Sequence, residues 1–278
     1  MSEMRALTSD IFARVTSPKW LWHKVSGSAK YLIQSFRTFT PEVIEREVAG
    51  ETYTFFIGSA TGKRWYGHRI FDCPELRFVK RYLVQPGGVV IECGAHHGEH
   101  TILLSRWVGS SGRVIAVEPM PENVAILRRN IELNRLTNVT VIEKVVGSSC
   151  GFLSVFQRSN TAVSKVPGRK TIEIESTTID RLTEELGIVP SLITIDVEGY
   201  ECQVLEGGRA ALSTVPALTV EVHTWHLPRY GRRFNDLWGL IDSKLYETFI
   251  QMDDSDKPRP YSPSSVPKDR VILHFRPR

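Results

Sequence analysis

Long hydrophobic runs and paired cysteines are both missing from the sequence. The longest apolar runs, such as Pro216 to Val222, fall far short of the roughly 20 residues that a membrane-spanning helix requires, and no apolar signal-peptide segment follows the basic N-terminus. The 278 residues include four cysteines without a C-x-x-C pair, so neither a cysteine zinc site nor a disulfide framework is indicated. These absences predict a cytoplasmic protein without a transmembrane segment.

A sustained basic surface is missing as well. Residues 1–40 hold six of the 35 Lys/Arg side chains and two of the 31 acidic ones, which leaves the remaining chain balanced at 29 against 29. We therefore expect no nucleic-acid partner for the main body. Within residues 1–40, aromatic residues interleave with the basic ones, which predicts a helix packed on the core. A helix that contacts anionic lipid or RNA is the alternative.

The composition of the whole chain is that of an ordinary globular protein, with 41% hydrophobic and 24% charged residues. We expect one catalytic domain over residues 74–278 and an N-terminal extension over residues 1–73. In that extension, the β-rich segments Glu42–Val48 and Glu51–Ile57 flank Ala49-Gly50, which predicts a β-hairpin in addition to the helix.

From Pro74 onwards, apolar runs alternate with segments of helical periodicity. The runs, typical of strands buried on both faces of a parallel sheet, are Val89–Cys93, Val114–Val117, Val139–Ile142, Leu192–Ile195 and Ala217–Val222. The helical segments are Glu99–Trp107, Glu122–Asn134, Thr178–Leu186, Glu201–Leu212 and one near Phe234–Lys244. Two further strands, Glu247–Gln251 and Arg270–Phe275, predict a terminal antiparallel hairpin. The chain is thus expected to form a Rossmann-like, doubly wound α/β fold with a mostly parallel, seven-stranded sheet.

A glycine-containing turn follows the first of these strands, where an open α/β sheet binds ligands. Gly94 and Gly98 allow close backbone approach, and the next helix offers free N–H donors at its N-terminus. The spacing is G-x-x-x-G rather than G-x-G-x-x-G, which favours a cofactor with a carboxylate and an amine over a pyrophosphate. Glu92, at the end of a buried strand, needs a partner such as the ammonium group of a cofactor or a backbone donor.

The following strand ends in Val117-Glu118-Pro119. A carboxylate at this place is suited to bind the two adjacent hydroxyls of a ribose, which makes Glu118 the strongest single-residue prediction. The alternative is a solvated acid that caps the next helix.

Polar residues at the ends of the fourth and fifth strands indicate the acceptor side of the site. His223 has the pKa range of a general base, while Asp196 and Glu198 are suited to orient it or to bind substrate hydroxyls; Asp196 also faces the cofactor. The alternatives are helix capping for Glu198 and a structural role for His223. Together with Glu221, these residues could also form an oxygen-rich magnesium site, but we assign no metal.

Several segments, in this order, resemble the FkbM-type methyltransferases. They are E-C-G-A-H-H-G-E-H-T, V-E-P-M-P-E-N-V-A-I-L-R-R-N, T-I-D-R-L, L-I-T-I-D-V-E-G-Y-E-C-Q-V-L-E-G-G and E-V-H. The resemblance implies the S-adenosylmethionine-dependent fold and O-methylation of a hydroxyl on a sugar, a polyketide or another small natural product. The family has Asp, Asn and Lys where this sequence has Glu92, His96 and Thr194.

The resemblance also implies cofactor-binding positions. Those matching the methionine-binding turn are Glu92, Gly94, Ala95, His96, Gly98 and Thr101. Glu118, followed by Pro119, matches the ribose position, and Glu143 loosely matches an adenine-contacting position. The expected partner is a small-molecule acceptor, and a homo-oligomer is compatible with the sequence. The alternatives are an NAD-type oxidoreductase of the same topology and a non-catalytic module that binds lipid or protein.

Overall fold

A computed structural model of the chain describes residues 39–68, 70–71, 73–156, 163–164, 171–253, 256–262, 267 and 269–278. The N-terminal helix expected within residues 1–40 lies outside these ranges, apart from residues 39 and 40. Among the described residues, no helix is both long and apolar enough to cross a membrane.

The strands are β1 (Glu42–Val48), β2 (Glu51–Ile57), β3 (Ile70–Phe71), β4 (Val89–Cys93), β5 (Arg113–Val117), β6 (Val139–Ile142), β7 (Val145–Val146), β8 (Gly151–Phe156), β9 (Thr171–Thr177), β10 (Leu192–Ile195), β11 (Ala217–Val222), β12 (Tyr246–Gln251), β13 (Arg259–Pro260) and β14 (Val271–Pro277). The α-helices are α1 (Ala60–Tyr66), α2 (Pro74–Tyr82), α3 (Glu99–Val108), α4 (Pro121–Leu133), α5 (Ile179–Leu186), α6 (Glu201–Glu206) and α7 (Arg209–Ser213).

The large sheet has the strand order β13-β12-β14-β11-β10-β4-β5-β6. The neighbouring strands β11, β10, β4, β5 and β6 pair in parallel, whereas β14, β12 and β13 extend the sheet beyond β11 with antiparallel pairing. The mostly parallel α/β sheet with a terminal antiparallel hairpin is therefore confirmed. Within the described residues the sheet has eight strands instead of the expected seven, because the two-residue β13 pairs with β12 at its edge. The chain runs outward from β4 to β5 and β6, then outward on the other side from β10 to β11. The order thus reverses between β4 and β10, where a crevice opens at the carboxyl ends of the strands.

The predicted hairpin is present as β1 and β2, paired from Glu42↔Ile57 to Val48↔Glu51. It packs against α4, since the side chain of Asn130 accepts a hydrogen bond from the Phe56 backbone N–H at 2.6 Å and donates one to the Phe56 carbonyl at 3.3 Å. Residues 41–278 form one compact unit. A domain boundary at residues 73/74 would divide this unit, and it stays a proposal.

Two helical predictions were wrong in detail. The helix expected over Glu201–Leu212 is broken into α6 and α7 at Gly207, where an added Cβ would lie 2.0 Å from the carbonyl oxygen of Gly147. The helix expected near Phe234–Lys244 is replaced by two 3₁₀ segments, Phe234–Gly239 and Ser243–Leu245. The carboxylate of Asp242 caps the second segment by accepting the Lys244 N–H, so the chain restarts there instead of continuing one helix.

A small sheet with the order β7-β9-β8 lies between β6 and β10 in the chain and was not predicted. The sequence of β9, T-I-E-I-E-S-T, does alternate apolar and acidic residues with the period of a strand. Its Ile172 and Ile174 pack against a cluster that includes Met120, Val155 and Tyr230. This sheet supplies Val145, Val146 and Val155 to the cavity described below.

Candidate active site

A cavity of about 720 Å³ opens at the carboxyl ends of β4, β5, β10 and β11. Most of the predicted site residues line it: Glu92, Gly94, Ala95, His96, Glu118, Pro119, Asp196, Glu198 and His223. The fold therefore brings the predicted cofactor and acceptor residues to one place. Gly98, Thr101 and Glu143 do not line it.

The glycine turn requires its glycines. Gly94 has φ +96°, and a Cβ there would lie 1.9 Å from the carbonyl oxygen of Asp196. Gly98 has φ +88°, and its Cβ would lie 2.4 Å from Cδ1 of Leu127. A side chain at either position would be strained by the backbone conformation and would collide with a neighbour. Gly94 therefore allows the turn after β4 to pass close to the end of β10, and Gly98 shapes the start of α3 from outside the cavity wall.

Glu92 is buried at the end of β4. Its Oε2 accepts a hydrogen bond from the Thr101 hydroxyl at 2.6 Å, so Thr101 supports the site from behind rather than facing the cavity. Burial raises the pKa of Glu92 to about 8, and the nearby charge of Glu118 adds to this, although the Thr101 hydroxyl opposes it. A carboxylate in this state is suited to receive a cationic group such as an ammonium.

Glu118 is buried at the end of β5 and is held by three donors. Its Oε2 accepts the His96 backbone N–H at 2.9 Å, while its Oε1 accepts the Met120 N–H at 3.0 Å and the Asn123 side-chain amide at 3.0 Å. Burial raises the pKa of Glu118, although these donors favour the charged form. Oε1 therefore uses both of its lone pairs, whereas Oε2 has a further one. Because the group borders the cavity, Oε2 can accept a hydrogen bond from a ribose hydroxyl.

His96 occupies the left-handed region with φ +47°, an uncommon conformation for a residue other than glycine. Its Nδ1 lies 2.8 Å from the Tyr66 hydroxyl, and its ring stacks on His97 with 3.9 Å between the centroids. Burial lowers the pKa of His96 to about 2, with a further contribution from His97. His96 is therefore a neutral wall residue, held from the side of α1.

Glu143 lies outside the cavity wall. Its carboxylate pairs with Arg128 at 2.6 Å, and its side chain is 42% exposed. The cavity is instead bordered by the next residues along the chain, Lys144, Val145 and Val146.

His223 is the centre of an acidic cluster at the end of β11. Its Nδ1 lies 3.0 Å from Oε1 of Glu201, a fully buried carboxylate that also accepts the Gly199 N–H at 2.8 Å. On the other side of the ring, Nε2 lies 3.4 Å from Glu221 and 3.6 Å from Glu198. Glu198 and Gly199 form the turn before α6, and both have positive φ, +55° and +103°.

These contacts determine the charge of the imidazole. Burial lowers the pKa of His223, but the hydrogen bond to Glu201 and the charges of Asp196, Glu201 and Glu198 outweigh burial and raise the pKa to about 9. Partial desolvation in the cavity wall and the charges of Glu221, Glu198 and Glu201 raise the pKa of Asp196, although its side chain is open to solvent, and the charge of His223 opposes that rise. The imidazole of His223 is therefore mostly protonated at neutral pH, and the surrounding carboxylates stabilise its charge.

Glu201, rather than Asp196 or Glu198, makes the direct contact with His223 Nδ1. Sequence reasoning did not include Glu201 in the site, because an acid in the first turn of a helix is usually explained by the helix dipole. Arg270 pairs with Glu221 at 2.8 Å, which provides a positive charge at this end. Ligand atoms of Asp196, Glu221 and His223 also lie within 4.8 Å of one another, a spacing that a metal ion could use.

The hairpin and α1 supply a wall that the sequence did not predict. The buried Arg46 of β1 pairs with Glu99 at 2.6 Å and donates hydrogen bonds to the carbonyls of Tyr66 and His68. Because Tyr66 in turn contacts His96, this buried charge fixes α1 against the glycine turn. The sequence signal for this wall was Arg46 on the same face of β1 as the apolar Val48, since a buried charge there needs a partner.

Comparisons with known proteins identify the family of this chain. The family profile described as the methyltransferase FkbM domain matches residues 92–248. The chain is 30% identical over 184 residues to the hexuronic acid methyltransferase AglP of Haloferax volcanii, covering 64% of this chain and 73% of that protein. It is also 41% identical over 59 residues to the protein-L-isoaspartate O-methyltransferase of Methanothrix thermoacetophila, covering 21% of this chain and 28% of that protein.

Solved methyltransferase structures are also similar to this chain. The FkbM methyltransferase of Methylobacillus flagellatus has a TM-score of 0.44 and 20% identity, and the match covers 72% of this chain and 50% of that protein. An O-methyltransferase of Bacillus cereus in complex with SAH has a TM-score of 0.41 and 14% identity, covering 72% of this chain and 78% of that one. Because the family profile covers more than half of the 278 residues, the chain belongs to the FkbM family of S-adenosylmethionine-dependent methyltransferases.

Proposed function

We propose that this enzyme methylates a hydroxyl oxygen of a sugar or a related small natural product. The observation that carries the proposal is the His223–Glu201 pair, which places an oriented imidazole on the wall of the cofactor cavity. The similarity to AglP, whose name gives hexuronic acid as its acceptor, supports a sugar. No contact in the described residues favours an oxidoreductase or a non-catalytic module over this function.

The cofactor half of the cavity is formed by the ends of β4 and β5. Glu92 is suited to hold the ammonium of the methionine moiety beside Gly94, Ala95 and His96, and Glu118 with Pro119 is suited to hold the ribose. Gly98 supports the cofactor site indirectly, by allowing the conformation of the turn, and Thr101 does so by donating a hydrogen bond to Glu92. When bound there, S-adenosylmethionine supplies an electrophilic methyl group on its sulfonium.

On the acceptor half, neutral His223 removes the proton of the acceptor hydroxyl through Nε2, which faces the cavity, while Glu201 fixes the ring through Nδ1. Asp196 and Glu198 accept hydrogen bonds from the acceptor's hydroxyl groups. We propose that no metal takes part, because Arg270 beside Glu221 already balances part of the negative charge that a metal would balance.

The cofactor assignment is tested by calorimetric titration with S-adenosylmethionine and S-adenosylhomocysteine, with NAD as a control ligand. We expect both sulfur nucleotides to bind, and Glu118→Ala to weaken their binding at least about tenfold because the ribose loses a charged hydrogen-bond acceptor. Glu122→Ala is the matched control, since Glu122 is an exposed glutamate four positions further along the chain, in the first turn of α4. Equal binding by Glu118→Ala and wild type would contradict the ribose role.

The acceptor is identified by methyl transfer from radiolabelled S-adenosylmethionine to a panel of glycosides, with an oligonucleotide and a phenolic compound in parallel. We expect glycosides to be labelled, and His223→Ala to lose turnover while still binding S-adenosylhomocysteine. Label confined to the phenol or to the oligonucleotide would contradict the sugar acceptor. Full turnover of His223→Ala would remove that residue from the mechanism.

A further inference from the structure

Two tryptophans line the cavity while staying open to solvent. Trp65, in α1, is 42% exposed, and Trp225, in the turn after β11, is 49% exposed. The other tryptophans in the described ranges, Trp107 and Trp238, are buried or half-buried. Exposing a large aromatic ring forgoes hydrophobic free energy, so two exposed rings that border the same cavity indicate a surface that a ligand covers.

Each ring lies beside a different part of the site. The Trp65 ring centroid is 5.2 Å from that of His96 in the glycine turn. The Trp225 ring centroid is 6.1 Å from that of His223, with the two planes at 89°. An acceptor that presents a hydroxyl to His223 therefore has Trp225 as a direct neighbour, and one that extends towards the cofactor turn reaches Trp65.

The chemistry of this wall combines flat apolar surface with hydrogen-bond acceptors. The carboxylates of Asp196, Glu198 and Glu221 border the same cavity and can accept hydrogen bonds from several hydroxyls. A sugar ring has the complementary surface, because its C–H face packs on an aromatic ring while its hydroxyls point outward from the rim.

One basic side chain in the wall has no acidic partner among the residues that the structure describes. Of the Lys and Arg residues that border the cavity in the described ranges, Arg46 pairs with Glu99, Lys144 with Glu175 and Arg270 with Glu221. Arg64 is exposed, and no described carboxylate lies within ion-pair distance of it. A guanidinium in this state can bind a carboxylate or a phosphate through two parallel hydrogen bonds.

Building on the proposed function, we propose that Trp225, Trp65 and Arg64 form a subsite for an acidic sugar. The tryptophans pack against the C–H face of the ring, and Arg64 binds an anionic substituent, either a carboxylate or a phosphate. The acidic cluster around His223 repels that substituent, so the acceptor's anionic end points away from the base. This orientation determines which hydroxyl reaches His223.

The test measures binding of three probes to the protein loaded with S-adenosylhomocysteine: methyl β-D-glucoside, methyl β-D-glucuronide and glucose 6-phosphate. We expect at least one of the two anionic probes to bind up to about fivefold more tightly than the glucoside, as suits one exposed ion pair. Trp225→Ala should weaken binding of every probe that binds by about tenfold, and Trp225→Phe should restore most of it. Arg64→Gln should remove only the advantage of the anionic probe.

Two variants control for changes that are not specific to the cavity. Phe152→Ala removes another exposed aromatic ring, 72% exposed, and Arg129→Gln removes another exposed arginine; neither residue borders the cavity. Unchanged probe binding in Trp225→Ala would overturn the subsite, as would equal binding of the glucoside and both anionic probes. If glycosides are labelled in the acceptor panel but Trp225→Ala and Arg64→Gln do not change probe binding, the subsite fails while the proposed function stands.

Discussion

Replacing Glu201 by Gln should move the pH dependence of the enzyme. His223 has its pKa raised from 6.5 to about 9, and the corresponding free energy is roughly 3 kcal/mol. At pH 7, about one molecule in a hundred of the free enzyme then has the neutral imidazole that a general base requires. We therefore expect kcat/KM of the wild type to rise with pH until the pKa of about 9 is passed.

In Glu201→Gln, the charged partner 3.0 Å from Nδ1 is lost while burial of the ring remains. The pKa of His223 should fall by about 1 to 2 pH units, since an opposite charge at this distance has an effect of that size. The rising limb of kcat/KM should move to lower pH by the same amount. Its plateau should be lower, because the weaker base is also less firmly oriented.

Stability should follow the same titration. A pKa raised in the folded state means that protonated His223 stabilises the fold fully below pH 6.5, and that this stabilisation is lost as pH rises through about 9. Glu201→Gln should therefore lower the free energy of unfolding at pH 6 by more than at pH 10. Chemical denaturation at these two pH values measures the difference.

The pKa itself is measured by NMR of labelled imidazoles, with His223→Ala identifying the resonance among the eight histidines. Glu206→Gln is the matched control, because Glu206 is on the same helix but pairs with Arg232 away from the cavity. A His223 pKa near 6.5 in the wild type, or the same pKa in Glu201→Gln and wild type, would refute the reasoning.

Three further outcomes follow from the site. Gly94→Ala should abolish S-adenosylhomocysteine binding in calorimetry and lower the melting temperature, because its Cβ would lie 1.9 Å from the Asp196 carbonyl oxygen; unaltered binding would contradict the close approach. Glu92→Gln should stabilise the free protein at pH 9, where ionising a buried group of pKa about 8 is costly, yet weaken cofactor binding; a melting curve and a titration on one sample show whether both occur. Exhaustive chelation should leave turnover unchanged, and recovery of lost turnover by added Mg²⁺ or Mn²⁺ would instead assign a metal to Asp196, Glu221 and His223.

The cofactor half of the site could be predicted because its signals are local. A buried strand, two glycines and a second strand ending in Glu118 are read within about 30 residues, and the fold places them as expected from the alternation of strands and helices. Thr101 shows where prediction from local signals ends. Its position in the motif was clear, but its hydrogen bond to Glu92 from behind the cavity wall follows only from the packing of α3 on β4.

The acceptor half depends on contacts that sequence spacing does not show. Glu201 and His223 are 22 positions apart, and they meet because α6 begins beside the end of β11. Likewise, Tyr66 reaches His96 only through the packing of α1, a helix too short to give a clear periodicity. The small sheet of β7, β9 and β8 was missed although β9 alternates regularly, since β8 has an exposed Phe152 that hides its pattern.

Charge in the cavity distinguishes the cofactor more strongly than the glycine spacing does. Burial raises the pKa values of Glu92 and Glu118, and donors that favour the charged forms do not cancel that rise. Carboxylates in this state are stabilised by a ligand with positive charge and destabilised by one with negative charge. A sulfonium with an ammonium group meets the first condition, whereas the pyrophosphate of NAD would add negative charge beside Glu118. Cofactor binding should therefore lower both pKa values together, and the site is poorly suited to a dinucleotide even though the topology of its sheet would accept one.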